Sequence, residues 1–326
     1  MSTIPWTLTR SHGWADEAAY HEIEKATRAQ REARAAAARS IALRSRILGN
    51  SGPKLRAAIL RAIAVAVGGA TLRSVSAALQ ERDLLAAQAA IPWERFETIL
   101  SPVARVELRA AIEQSGSLEG RLLLEQLGNR AGAFAFDVTH SATVEWVRVH
   151  GAGLVTNISE SRRNALKRIL DKVVRGGLNE HDAARMILDG KAIGLTEREA
   201  GAVANYRARL RQDGVRVDSA DTLAARYSKK LLAGRATRIA HHELVEAFSE
   251  GQVQGWAQAR QARLLDDRTV VRWNALFDAE AICQRLAGKF VRIGQAFPGG
   301  FRRPPAHIGC RCILTVHPFG LPARRR

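Results

Sequence analysis

Cysteine is scarce in this chain, with three among 326 residues. That is too few for a fold stapled by disulfides, so a disulfide-built secreted scaffold is excluded. Acidic residues are also short. Thirty-two Asp and Glu face fifty Lys and Arg, leaving a net charge of +18 and a pI near 11.0. Long apolar runs are missing as well. The most apolar stretch, Ala57 to Leu72, is interrupted by Arg61 and by Gly68-Gly69, and is too short and too charged to span a bilayer. Met1 to Trp6 has no basic segment followed by an apolar core, so no secretion signal is expected. There is no phosphate-cradling Gly-rich loop, no G-x-S-x-G elbow, no dinucleotide fingerprint and no internal repeat. Together these absences predict a soluble protein made in a reducing cytoplasm.

What is present is globular. Hydrophobic residues make up 46% and charged residues 25%, which rules out wholesale disorder. The length allows two or three domains with a sizeable core. The basic excess favours a polyanionic partner: nucleic acid, an anionic membrane or an acidic protein surface. Arginine forks onto phosphate and carboxylate alike, so residue type does not choose among them.

The chain reads as mainly α, with helical N-terminal and central regions and a small α+β Cys/His-containing C-terminal module. Residues 1–135 form a basic helical region that would serve as a partner-binding arm. Its first helix spans 15–48, with Arg31, Arg34, Arg39, Arg44 and Arg46 around an alanine run. Gly49-Asn50-Ser51-Gly52-Pro53 predicts a break, followed by a second helix ending at Gly68-Gly69. Further helices are predicted over 72–90, 93–114 and 118–130.

Residues 136–262 read as a helical bundle. Ser159 and Asn179 are candidate caps, and Thr196-Glu197-Arg198-Glu199 is a capping box with Leu195 as its staple. Ser219 starts a helix that Gly234 is expected to separate from a longer one ending near Arg260. In 263–318 the pattern turns to short strands at 269–276, 288–293 and 312–316. Residues 319–326 are a basic tail.

Four residues carry the candidate chemistry: Cys283, His307, Cys310 and Cys312. Two thiolates on a tight turn, an imidazole and a distant thiolate make a donor set that tetrahedral zinc takes, and a structural zinc would help so small a module fold. C-x-C spacing strains a shared tetrahedral site, so free cysteines packing as small hydrophobes, with His307 bonded to a loop carbonyl, is a competing reading. A disulfide from Cys283 is a third. His241-His242-Glu243 lacks the second histidine of H-E-x-x-H and reads as a polar helix face with one inward ion pair. Asp266, Asp267, Asp278 and Glu280 could bind Mg²⁺ for phosphodiester chemistry, but no recognisable base accompanies them.

The C-terminal stretch resembles the Mu-type minor head proteins of tailed bacteriophages, also called head morphogenesis proteins. The matching residues are Trp273-x-Ala275-x-x-Asp278, Cys283-x-x-Leu286-x-Gly288-Lys289 and Pro304-Pro305-x-His307-x-x-Cys310-Arg311-Cys312. Weaker matches at Trp146, Leu154-Val155-Thr156, Gly194-Leu195-Thr196, Tyr206-Arg207 and Glu243 extend the resemblance over 140–316. Where the family carries C-x-x-C before its Leu-x-Gly, this chain has Cys283 alone.

The resemblance implies a structural, non-catalytic component of the virion. It would associate with the portal protein and with major capsid or scaffold proteins, at the portal vertex or inside the capsid, during head assembly and DNA packaging, with non-specific DNA contact and no membrane. Alternatives are a zinc-containing nucleic-acid-binding protein and a metal-dependent nuclease or toxin.

Overall fold

The computed structural model describes residues 15–68, 72–81, 83–91, 93–128, 134–154, 195–276 and 278–318, together with Ile158 and Val173. The chain is mainly helical, with a small antiparallel sheet at its C-terminal end. Three long helices carry the architecture: α1 (Ala15–Gly68), α4 (Trp93–Leu127) and α7 (Val217–Gln261). Between them lie α2 (Leu72–Gln80), α3 (Leu84–Ala89), α5 (141–154) and α6 (Glu197–Gln212). The module after α7 holds β1 (Val270–Asn274), α8 (Ala281–Leu286), β2 (Phe290–Arg292) and β3 (Ile313–His317). Among the described residues, no helix is long and apolar enough to cross a membrane.

Three predicted helix breaks are absent. α1 runs straight through Gly49 to Pro53. Two glycines and a proline inside a helix cost roughly 5 kcal/mol against alanine. The same stretch buries Ile47, Leu55 and Ile59 completely, each contributing roughly 1.5–3 kcal/mol. Burial offsets the propensity cost, and Gly52 lets the His241 ring of α7 lie against the backbone. α4 likewise continues through Pro102 and Ser115-Gly116-Ser117, and α7 through Gly234.

One break appears that was not predicted. The expected helix over 72–90 divides at Asp83, whose carboxylate accepts from the amides of Leu85 (2.8 Å) and Ala86 (3.0 Å) and so caps α3. The proposed caps at Ser159 and Asn179 lie outside the described residues. The capping box at Thr196 and Glu199 forms as expected, with Leu195 fully buried beside Val203 and Ala224.

One hydrophobic core takes residues from α1, α4, α5 and α7, reaching as far as Ile313 of β3. It spans both sides of position 135. α4 and α7 approach closely where small residues face each other. A methyl group added at Gly251 would lie 1.9 Å from Ser115 Oγ and 2.4 Å from the Ile112 carbonyl oxygen. At the same level the carboxyl of Glu119 is buried between three helices. It accepts from Ser40 Oγ of α1 (3.3 Å), Gln252 Nε2 (2.8 Å) and Trp256 Nε1 (3.0 Å) of α7. Gln252 Nε2 also donates to the Leu314 carbonyl of β3 at 3.2 Å.

The sheet has the order β2-β1-β3, antiparallel throughout, pairing Val271 with Val291 on one side and with Val316 on the other. Its inner face packs Val271, Trp273, Leu314 and Val316 onto Trp256 and Ala259 at the end of α7. The C-terminal module therefore sits on the last turns of the long helix.

Two outcomes follow from the helix contacts. Gly251→Ala, where backbone must yield to make room, should lower stability by at least about 2 kcal/mol in chemical denaturation. Burial pushes the Glu119 carboxyl up to about 7, against the three hydrogen bonds that favour its charged form. A carboxyl whose folded pKa exceeds its unfolded value loses its contribution as pH rises between the two. Unfolding free energy should fall by roughly 3 kcal/mol from pH 4.5 to 7 on this account, and Glu119→Gln should remove that part of the slope.

Candidate metal centre

The local sequence explains how the Cys/His residues are presented. α8 is a short helix whose Cys283 and Leu286 face inward at a spacing of one turn. After the cis Pro304–Pro305 bond, His307 opens a turn that the Cys310 amide closes by donating to its carbonyl (3.1 Å), and Cys310 and Cys312 lie in the extended approach to β3. Alternation along an extended chain buries Cys310 and Cys312 and leaves Arg311 exposed. Arg311 then pairs with Asp278 at 2.5 Å, which closes the loop before α8 against the loop before β3.

Cys283, His307 and Cys310 each bring one donor atom within 4.8 Å of the other two. Cys283 Sγ and Cys310 Sγ lie 3.7 Å apart, and all three cysteines are free and buried. His307 is half-buried, and its Nδ1 donates to the Ile308 carbonyl (2.9 Å) with Glu280 Oε1 at 3.4 Å. A proton on Nδ1 leaves Nε2 as the lone-pair nitrogen of the neutral ring. The expected fourth residue, Cys312, does not join this group. Its thiol lies beside the group, turned toward Cys310 and Trp273.

The three thiols differ in acidity. A hydrogen bond from Cys312 draws the Cys310 thiol down to about 5, with amides of the loop adding to it. Burial pushes Cys283 up to about 11, and the neighbouring Cys310 raises Cys312. The cluster thus holds one thiolate ready and must release protons to bind a metal. Two sulfurs and an imidazole nitrogen suit Zn²⁺, with a fourth position left to another donor.

The carboxylates proposed for Mg²⁺ do not converge. Asp266 is taken by Arg268 (2.7 Å), Asp267 pairs with Arg260, and Asp278 pairs with Arg311. Among the described residues, none of these three belongs to a group with metal-ligating geometry.

Sequence reasoning missed Arg44. Grouped with the other arginines of the partner-binding arm, it has instead a buried guanidinium that donates to the carbonyls of Arg311 (2.6 Å) and Cys312 (2.9 Å). Burial lowers its pKa, while the charges of Cys310 and Cys312 oppose that shift. The signal was available: Arg44 lies four residues after Ser40 and three before Ile47, on the buried stripe of the helix. Arg39 is likewise engaged, by both oxygens of Glu125 at 2.9 and 2.6 Å.

The reading of His241-His242-Glu243 also needed a partner from elsewhere. Glu243 meets His150 of α5, with Nε2 and Oε2 2.6 Å apart, and Glu246 stands 3.7 Å from the same nitrogen. Burial works against a charge on His150, but Glu243 and then Glu246 outweigh it and raise the pKa.

In protein purified under reducing conditions the thiol cluster should account for about one zinc per chain, read as the difference in elemental analysis between the parent and its Cys310→Ser variant. That zinc should be lost in Cys310→Ser and on acidification, when the thiolates take up protons. Arg44→Ala strands two carbonyl oxygens and should cost roughly 2–4 kcal/mol, with hydrogen exchange at Ile313 to Val316 rising before exchange in α4.

Compared with known proteins, the chain matches no protein-family model, no curated protein and no solved structure.

Proposed function

We propose that this chain is a structural minor head protein of a tailed bacteriophage, acting in head morphogenesis at the portal vertex or capsid interior. One observation carries the reading. The residues of the resemblance, Trp273, Cys283, Leu286, Cys310 and Cys312, share one buried cluster. The motif is therefore the interior of a folding unit rather than a set of scattered matches, as befits an assembly protein in which these positions serve structure. The carboxylates beside them are held by arginines, which suits a binding role better than hydrolysis.

The partners of this reading are the portal protein and the capsid or scaffold proteins, with DNA contact as a secondary, charge-driven contribution. Long helices with exposed arginines offer the surface for them. Arg31, Arg34 and Arg46 lie on the outer side of α1. The same residues favour a second reading, a zinc-containing nucleic-acid-binding protein, because phosphate contact scales with the number of cations presented.

Salt separates the two. Cosedimentation with portal oligomers of the phage that encodes the chain should persist at salt concentrations that abolish DNA binding. Loss of both together, with a steep and equal salt slope, would favour the nucleic-acid reading. Charge reversal at Arg31, Arg34 and Arg46 should weaken portal association and leave the melting temperature unchanged.

A further inference from the structure

We propose that His150, Glu243 and Glu246 form a binding site for a divalent transition-metal ion, separate from the thiol cluster. The three side chains each place one donor atom within 4.8 Å of the others. They come from two elements. Glu243 and Glu246 are one helical turn apart on α7 and so share a face, and His150 lies on α5 opposite them. Their side chains are 22%, 14% and 27% exposed for His150, Glu243 and Glu246 respectively, which shelters the donors and leaves an open side for water.

The surroundings orient these donors. The His150 ring stacks on Trp146 with centroids 4.2 Å apart and planes at 11°, which holds the imidazole in place. The two oxygens of Glu246 are divided in use. Oε1 faces Arg303 at 3.5 Å, and Oε2 faces His150. Arg303 thus anchors the carboxylate from behind, as outer partners of metal ligands do. It reaches Glu250 as well, at 3.1 Å, and covers the Trp146 ring. His242 Nε2 is 4.0 Å from Glu246 Oε2, and its Nδ1 is buried without a hydrogen-bond partner among the described residues.

Charge balance also points to a dication. With His150 and His242 both neutral, the carboxylates of Glu243, Glu246 and Glu250 against the guanidinium of Arg303 leave an excess of two negative charges. A proton on His150 cancels only one. A divalent ion cancels both. One imidazole with two carboxylates suits zinc, manganese or iron, and gives no preference for magnesium or calcium, which favour all-oxygen sites.

Cobalt(II) distinguishes this site from the thiol cluster, because thiolate ligation adds intense near-ultraviolet charge-transfer absorption that nitrogen and oxygen ligands do not. The full chain, stripped with chelator under reducing conditions, is titrated with Co²⁺. A Cys283→Ser, Cys310→Ser double variant should still bind one equivalent, now without the charge-transfer band. Glu246→Gln or His150→Gln added to that background should weaken the remaining binding about tenfold or more. Zn²⁺ should displace the cobalt and millimolar Mg²⁺ should not. Glu246→Gln leaves the His150–Glu243 contact in place, so a native circular dichroism spectrum and melting curve are expected of it. The proposal is overturned if the folded Cys283→Ser, Cys310→Ser variant binds no cobalt, or if a folded Glu246→Gln variant binds it as tightly as its parent.

Discussion

A buried carboxyl group joins the parts of this molecule. Glu119 sits on α4, receives hydrogen bonds from α1 and α7, and is linked through Gln252 to the backbone of β3. A carboxyl removed from water is costly unless its oxygens find donors. Here Ser40, Gln252 and Trp256 supply them, and each donor must arrive from a different place on the helices that flank it. The contact specifies how the three long helices are set against one another and where the sheet docks. Close approach of α4 and α7 at Gly251 brings those donors within reach, so packing and hydrogen bonding depend on each other.

The same logic attaches the cysteine module. Two carbonyls of the Cys310–Cys312 segment are satisfied from outside the module, by Arg44 of α1. The thiol cluster is therefore anchored by an element more than 260 residues away in sequence. A metal bound by Cys283, His307 and Cys310 would stabilise the module from within, and Arg44 holds it from without. In the assembly role proposed above, a rigid end bearing on a long helical arm would transmit position rather than chemistry. On this view Asp266, Asp267 and Asp278 of the module are structural, each neutralised by a neighbouring arginine.

Much was legible in the sequence where neighbours decide the outcome. The capping box at Thr196 and Glu199 needs only four consecutive residues, and it formed. The strands around Trp273, Phe290 and Leu314 follow from β-branched and aromatic runs bounded by glycine and proline, and all three pair in one sheet. The helix breaks at Gly49–Pro53, Ser115–Ser117 and Gly234 were read from local propensity, which was the weaker force. Burial of Ile47, Leu55 and Ile59, and the small-residue contact at Gly251, carry the helices through. Of the four Cys/His positions, three converge. Cys312 stands beside that trio, its thiol against Cys310 and Trp273, an arrangement the spacing did not decide.

By itself, the sequence determined the class of the molecule: mainly helical, strongly basic, poor in thiols, with a short β-containing end that bears the Cys/His motif. These follow from composition and from periodicities of 2 and 3.6, which the backbone imposes locally. Only tertiary structure decided which charges are interior. Arg44, Glu119 and Glu243 look like any other charged helix residues in a basic chain. Their partners lie on other helices, far away in sequence, and the value of a charge depends on what the fold places against it once water has been removed.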